Sequence, residues 1–156
     1  MTTLLDDAIH FARVAYADRR DSFGRPAIEH PLRVMDALAS EDNRIVAVLH
    51  DTLVNSVATV GDLRAFLPSR LLMAVTALGH TDEDADGISL QSTLADPIAL
   101  TVKLACIADL SDPARLADLD PFTRRSREAQ AADAARALGT TLPAVRALMV
   151  PVGVPH

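Results

Sequence analysis

The adjacent residues His50 and Asp51, together with His30, are the side chains in this sequence best suited to chemistry. Two imidazoles and a carboxylate are common ligands of divalent transition metals. The His-Asp pair lies near the end of a helical apolar run, residues 45–49, and a charged Asp51 beside such a run needs a partner or a metal ion. These three residues therefore predict a metal site.

Helix geometry limits how these ligands can meet. Neighbouring helical residues point about 100° apart, so His50 and Asp51 reach one ion only if it lies off the helix between their directions. His30 would then arrive from the start of the preceding helix, and three ligands would leave open positions for water and substrate. Taken singly, each has a plainer interpretation: His30 could bond a backbone group, and the His-Asp pair could face solvent near a helix end.

The composition favours a single helical domain. The chain has 156 residues, of which 49% are hydrophobic and only 3% aromatic. Its net charge of −6 argues against a surface for nucleic-acid polymers, which is usually basic. The single cysteine rules out an internal disulfide and is compatible with a reducing compartment. The sequence shows no signal-peptide pattern and no apolar run long enough to span a membrane, so we expect a cytoplasmic protein.

Apolar spacing and capping residues predict an all-α fold, a single compact bundle of about seven or eight helices. We expect residues 1–140 to form this domain and residues 141–156 to form a C-terminal tail with a short helix. The acidic stretch from His80 to Gly87 lacks the ligand spacing of a calcium loop and is predicted to be a solvated loop. Helix starts are predicted at or just after Pro31, Ser40, Thr59, Pro68, Pro97, Asp112, Asp120 and Thr141.

Several motifs together resemble the HD superfamily, and within it the small stand-alone alarmone hydrolases. These are related to the hydrolase domain of the RelA/SpoT-type enzymes, which removes pyrophosphate from (p)ppGpp. The resemblance extends over residues 4–138. The motifs that carry it are, in order, Arg19-Arg20, Gly24, Ala27-Ile28-Glu29-His30-Pro31-Leu32-Arg33-Val34, Val48-Leu49-His50-Asp51 and Val102-Lys103-Leu104-Ala105.

The resemblance implies an all-α HD domain that holds a Mn²⁺-type ion through two histidines, the Asp of the His-Asp pair and a later Asp. The two histidines and the aspartate named above match the first three of these ligands. The resemblance also places basic residues that meet the substrate at Arg19 and Arg20, and an arginine fork can bind phosphate bidentately. Lys103 is a further candidate for neutralising phosphate charge.

Four positions depart from the pattern that the resemblance implies. A Glu-Asp pair that orients or activates the attacking water is replaced by Val54 and Asn55, which leaves Asn55 as the only catalytic candidate there, although it cannot act as a base. The late Asp ligand is replaced by Cys106, which could bind zinc as a thiolate or pack in the core. Asp109, one turn further on, is the alternative fourth ligand, and an expected Asn is replaced by Leu110.

Three hypotheses for function follow. The first is a divergent metal-dependent phosphohydrolase that uses Mn²⁺ or Zn²⁺ and acts on a nucleotide or another phosphorylated small molecule. The second is a catalytically inactive HD-domain protein, with or without the ion, that binds a nucleotide or a protein partner. The third is an HD scaffold repurposed for other chemistry. The Ala-rich helices could also support a homodimer, whose interface the sequence does not identify.

Overall fold

The computed structural model describes residues 1–79 and 88–148, and it confirms the all-α prediction. The predicted acidic loop, residues 80–87, and the end of the tail after residue 148 lie outside the described residues. The helices of the described ranges are α1 (Leu4–Ala15), α2 (Glu29–Asp36), α3 (Glu41–Leu49), α4 (Thr52–Asn55), α5 (Val60–Arg64), α6 (Ser69–Leu78), α7 (Ile88–Ala95), α8 (Pro97–Leu110), α9 (Pro113–Leu116), α10 (Pro121–Ala137) and α11 (Leu142–Leu148).

Two helices, α4 and α7, have no predicted start in the sequence. The segments α4, α5 and α9 have only four or five residues each. The other helices have seven residues or more and form the main bundle. In the described ranges, no helix is both long and apolar enough to cross a membrane.

Local capping residues set most helix starts, as the sequence predicts. The Ser40 side chain accepts a hydrogen bond from the backbone N–H of Asn43 and begins α3. Thr59 forms a reciprocal capping box with Asp62 at the start of α5. Asp112 and Asp120 accept backbone hydrogen bonds ahead of helices whose first residue is proline. The start of α2 differs, since this helix begins two residues before Pro31.

The helix α3 lies at the centre of the bundle. Its last five residues, 45–49, are almost completely buried, and α3 contacts α1, α2, α6 and α8. Small residues such as Ala8 and Ala12 on α1 let the helices approach closely in a core with few aromatic side chains. Because α3 is held on all these sides, the residues at its C-terminal end occupy fixed positions.

The loop between α1 and α2 is built from its own hydrogen bonds. The Asp21 carboxylate accepts the backbone N–H groups of Phe23 and Arg25, and Gly24 adopts a positive φ of 77° that suits glycine. The backbone N–H of Ala27 donates to the carbonyl oxygen of Arg19 and closes the loop. This loop therefore presents the basic residues that follow α1 next to the start of α2.

The short helix α11 packs against α8 and α10, although it falls in the predicted tail. Its residues Leu142 and Val145 form a small second apolar cluster with Ile107 and Ala135. This part of the tail is thus joined to the helix that also carries Cys106. The boundary at residue 140 stays a prediction.

Candidate metal centre

Three helices bring the predicted ligands together. His30 is the second residue of α2, His50 caps the C-terminal end of α3, and Cys106 lies in α8. The helices α2, α3 and α8 pack pairwise against one another. Asp51 lies between α3 and the single turn α4. Its side-chain direction is therefore not set by the geometry of either helix.

The spacing of the donor atoms fits a shared metal ion. Donor atoms of His30, His50 and Cys106 all lie within 4.8 Å of one another. His30 Nε2 is 3.4 Å from Cys106 Sγ, and His50 Nε2 is 3.2 Å from Asp51 Oδ2. Two ligand atoms of one tetrahedral zinc ion lie roughly 3.3–3.7 Å apart. The separation between His30 Nε2 and Cys106 Sγ lies within this range, so these two donor atoms are spaced as ligands of one ion.

A backbone contact orients His50. Its Nδ1 lies 2.5 Å from the carbonyl oxygen of Ala47, so this nitrogen donates and Nε2 is the atom left to bind an ion. Burial would lower the pKa of the ring, but Asp51 and Cys106 raise it well above its usual value. The side chain is only 3% exposed, and Nε2 lies 3.2 Å from Asp51 Oδ2 but makes no hydrogen bond of good geometry with any described residue. A buried nitrogen with a free lone pair costs free energy unless a proton or a cation occupies it. This unpartnered atom fits a metal ligand.

Asp109 orients His30 from the opposite side of the ring. Its Oδ2 lies 2.6 Å from His30 Nδ1, while the other ring nitrogen faces Cys106. The same carboxylate accepts hydrogen bonds from Arg33 Nε at 2.9 Å and from an Arg115 amino group at 2.6 Å. The Asp109 carboxylate thus contacts the side of the His30 ring that faces away from the other donor atoms. Of the two candidates for a fourth ligand, only Cys106 lies among the donor atoms of the cluster.

The charges in the cluster stabilise one another. Burial alone would raise the pKa of the Cys106 thiol, but hydrogen bonds and charge from His30 and His50 outweigh it and lower this pKa to about 6. Burial would lower the pKa of His30, yet Asp109 and Cys106 raise it to about 9. The pKa of Asp51 falls well below its usual range, despite burial, because both histidines are close. Cys106 is therefore mainly a thiolate at neutral pH, which is the form that binds metals.

A cavity of about 1230 Å³ opens beside the cluster. His30 and Asp51 form part of its wall, so two of the ligands face the space where a small molecule could bind. The positively charged side chains in the wall are Arg19, Arg20, Arg25, Arg33, Arg115 and Arg127. Its size exceeds the roughly 300–1,000 Å³ usual for sites that take small molecules.

The arginines of the wall differ in how they are engaged. Arg33 and Arg115 bind Asp109, and Arg25 forms an ion pair with Glu29 at 3.0 Å. Arg20 donates to the carbonyl oxygen of Gly24. Within the described residues, Arg19 makes no ion pair. It is thus the predicted substrate-binding residue with the most freedom to meet an anion.

The other predicted site residues take different places. Asn55 and Val54 are exposed and line the cavity, as does Leu110. Lys103 does not line it, although its charge contributes to lowering the pKa of Asp51. At the cavity itself, the two carboxylates that the resemblance implies are therefore replaced by Val54 and Asn55, and the implied asparagine is replaced by Leu110.

Sequence reasoning missed Arg33, Arg115 and Tyr16 as residues of this site. Arg33 lies within the motif around His30 and three residues after it, a spacing that places both on one face of α2. That spacing was the available signal. Nothing in the sequence connects Arg115 to His30, because their contact through Asp109 depends on how α2 docks against α8.

The cluster has the donor set of a transition-metal site. Two imidazoles and a thiolate suit zinc, which would replace a proton on each ring nitrogen that it binds. The Asp51 carboxylate lies beside this set, 3.2 Å from His50 Nε2. A hydrogen-bonded carboxylate behind a ligating histidine is also usual in such sites. The residues present therefore fit a divalent ion.

Comparison with known proteins gives a structural relationship. No protein-family model and no curated protein sequence matches the chain. Among solved structures, the chain matches one reported for a metazoan ortholog of SpoT that hydrolyses ppGpp and plays a role in starvation responses. The TM-score is 0.72 with 15% sequence identity, over 96% of this chain and 93% of that one. The expected resemblance to an HD-domain ppGpp hydrolase is confirmed in the fold, which is what the two chains share at this identity.

Proposed function

We propose that this protein is a metal-dependent phosphohydrolase of the HD type, divergent from the alarmone hydrolases in its ligand set. His30, His50, Asp51 and Cys106 would hold a divalent ion, with zinc favoured by the thiolate. When bound, such an ion acts as a Lewis acid toward water and phosphoryl oxygens. We place this activity in the cytoplasm, where reducing conditions would keep the Cys106 thiolate available as a ligand.

One observation carries the proposal: the cavity wall contains both a pair of candidate metal ligands and a set of arginines. Guanidinium groups bind phosphate through paired hydrogen bonds and remain charged at all physiological pH values. Arg19 can meet a phosphate without first breaking an ion pair to a described residue. A nucleotide or another phosphorylated small molecule therefore fits both the charge and the size of the cavity.

Binding without turnover is the second candidate, and the cavity wall itself favours it. Val54 cannot move a proton, and Asn55 cannot act as a base. Both line the cavity at positions where the resemblance implies water-activating carboxylates. The arginines would serve a binding protein as well as an enzyme. By contrast, a site repurposed for unrelated chemistry has less support, because six arginines against four carboxylates give the wall an excess of positive charge that suits an anion.

The test is phosphate or pyrophosphate release by the protein loaded with zinc or manganese, with ppGpp and common nucleotides as substrates. We expect release by the wild type, abolished in Asp51→Asn and unchanged in His10→Ala, whose exposed imidazole lies on α1 away from the cavity. Nucleotide binding with no release above the Asp51→Asn background would overturn the hydrolase proposal and support the binding protein. Release that is equal in Asp51→Asn would refute the metal-centred mechanism.

A further inference from the structure

The hydroxyl of Tyr16, the only tyrosine in the sequence, is buried without a hydrogen-bond partner among the residues that the structure describes. Tyr16 caps the C-terminal end of α1 and is only 4% exposed. Its hydroxyl group makes no hydrogen bond with any described residue. Buried tyrosine hydroxyls normally find a partner, because leaving one unpaired costs free energy. The missing partner therefore needs an explanation.

The position of Tyr16 supplies one. Tyr16 lines the same cavity as His30 and Asp51. Burial raises the pKa of its phenol, and the nearby negative charges of Asp51 and Cys106 raise it further, whereas Arg19 opposes them. The hydroxyl therefore stays protonated, keeps a hydrogen to donate, and lies near enough to Asp51 and Cys106 for their charges to act on it.

We propose that Tyr16 is a ligand-binding residue whose hydroxyl donates a hydrogen bond to a phosphoryl oxygen of the molecule in the cavity. The inference rests on the proposed function, because it needs an anionic ligand at this place. Arg19 supplies charge at the open side of the cavity, and Tyr16 supplies a neutral donor in the buried wall. A neutral donor suits this position because a buried cation would have to be desolvated, whereas a phenol carries no charge.

The substitution Tyr16→Phe tests this directly, since it removes only the hydroxyl. Inorganic phosphate is the probe, because it cannot be hydrolysed further. Its affinity for the metal-loaded protein, freed of excess ion, is measured by isothermal titration calorimetry. We expect about ten- to a hundredfold weaker binding by Tyr16→Phe, as for the loss of a hydrogen bond to a charged group. Thr101→Val, which removes a hydroxyl outside the cavity wall, should bind phosphate as the wild type does.

A second readout separates ligand binding from a structural role. The melting temperature of the ligand-free Tyr16→Phe protein should equal or exceed that of the wild type, because the hydroxyl has no partner to lose. A lower melting temperature would mean that the hydroxyl has a partner within the fold and would overturn the proposal. Equal phosphate affinity of Tyr16→Phe and wild type would overturn this inference alone. Failure of the wild type to bind phosphate would overturn the proposed function and this inference with it.

Discussion

His30 Nδ1 lies 2.6 Å from Asp109 Oδ2, and the opposite nitrogen of the same ring lies 3.4 Å from Cys106 Sγ. A carboxylate behind the ring fixes which nitrogen carries the proton and so presents the other nitrogen as a ligand. Asp109 is itself held by Arg33 and Arg115. Hydrogen bonds and charge from His30 and Arg33 lower its pKa to about 2, despite its burial. The orientation of one ligand thus depends on residues from three parts of the chain.

Replacing Asp109 with Asn should weaken metal binding by about 10- to 100-fold, the range usual for a partner that orients a metal-ligating histidine. The amide keeps the shape of the side chain but loses its charge. Affinity is measured by competition with a chromophoric chelator. Asp133→Asn, a change at an exposed position of α10, is the matched control and should leave the affinity unchanged. Equal affinities of the two variants would show that Asp109 does not support the site.

Replacing Cys106 with Asp should shift metal preference from zinc toward manganese. A thiolate selects borderline metals such as zinc, whereas carboxylates suit manganese. The protein is incubated with equal concentrations of both ions, freed of excess, and its metal content measured. Cys106→Ser, which is close in size to the natural side chain but a poor ligand, should lower the content of both ions. An unchanged zinc preference in Cys106→Asp would mean that the sulfur does not bind the ion.

Replacing Arg19 with Gln should weaken binding of phosphorylated ligands by about ten- to a hundredfold, since it removes a charge-assisted hydrogen-bond donor. Arg19 is the informative choice because Arg20 also supports the loop through Gly24. Arg64→Gln removes an exposed arginine that lies outside the cavity wall and serves as the control. Isothermal titration calorimetry with guanosine monophosphate measures the affinity of both variants. The prediction fails if the two variants lose affinity equally.

Restoring both carboxylates, with Val54→Glu and Asn55→Asp together, should raise phosphate release by about a hundredfold or more, as general acid-base groups typically contribute. Both positions line the cavity, so new carboxylates would reach it. Val60→Glu introduces a carboxylate at a position outside the cavity wall and should have no effect. No gain in the metal-loaded double variant would mean that other residues limit the reaction.

The helical fold was largely predictable because its signals are local. Ser40 and Thr59 begin helices through hydrogen bonds to residues three positions away, so these starts can be recognised without knowing the tertiary structure. The helix α7 was not predicted. It begins directly after an acidic stretch and shows little separation of apolar and polar faces, so its periodicity gives no clear signal.

The candidate site was predictable only in part. The motifs around His30 and His50 predict candidate ligands, because the residue types themselves suit metal binding. The contacts of Asp109 with Arg33 and Arg115 were not predictable, since they depend on how α2, α8 and the segment after α8 dock. The unpartnered hydroxyl of Tyr16 likewise depends on which side chains surround it, and no sequence spacing reports that.

Metal content tests the central claim most directly. The wild type, His50→Ala and His10→Ala are each incubated with Zn²⁺ or Mn²⁺, freed of excess ion and analysed for metal per chain. The account predicts about one ion per chain in the wild type and in His10→Ala, and far less in His50→Ala, because His50 contributes a buried ligand nitrogen. The claim would be contradicted if the wild type holds neither ion. It would also be contradicted if His50→Ala retains as much metal per chain as His10→Ala does.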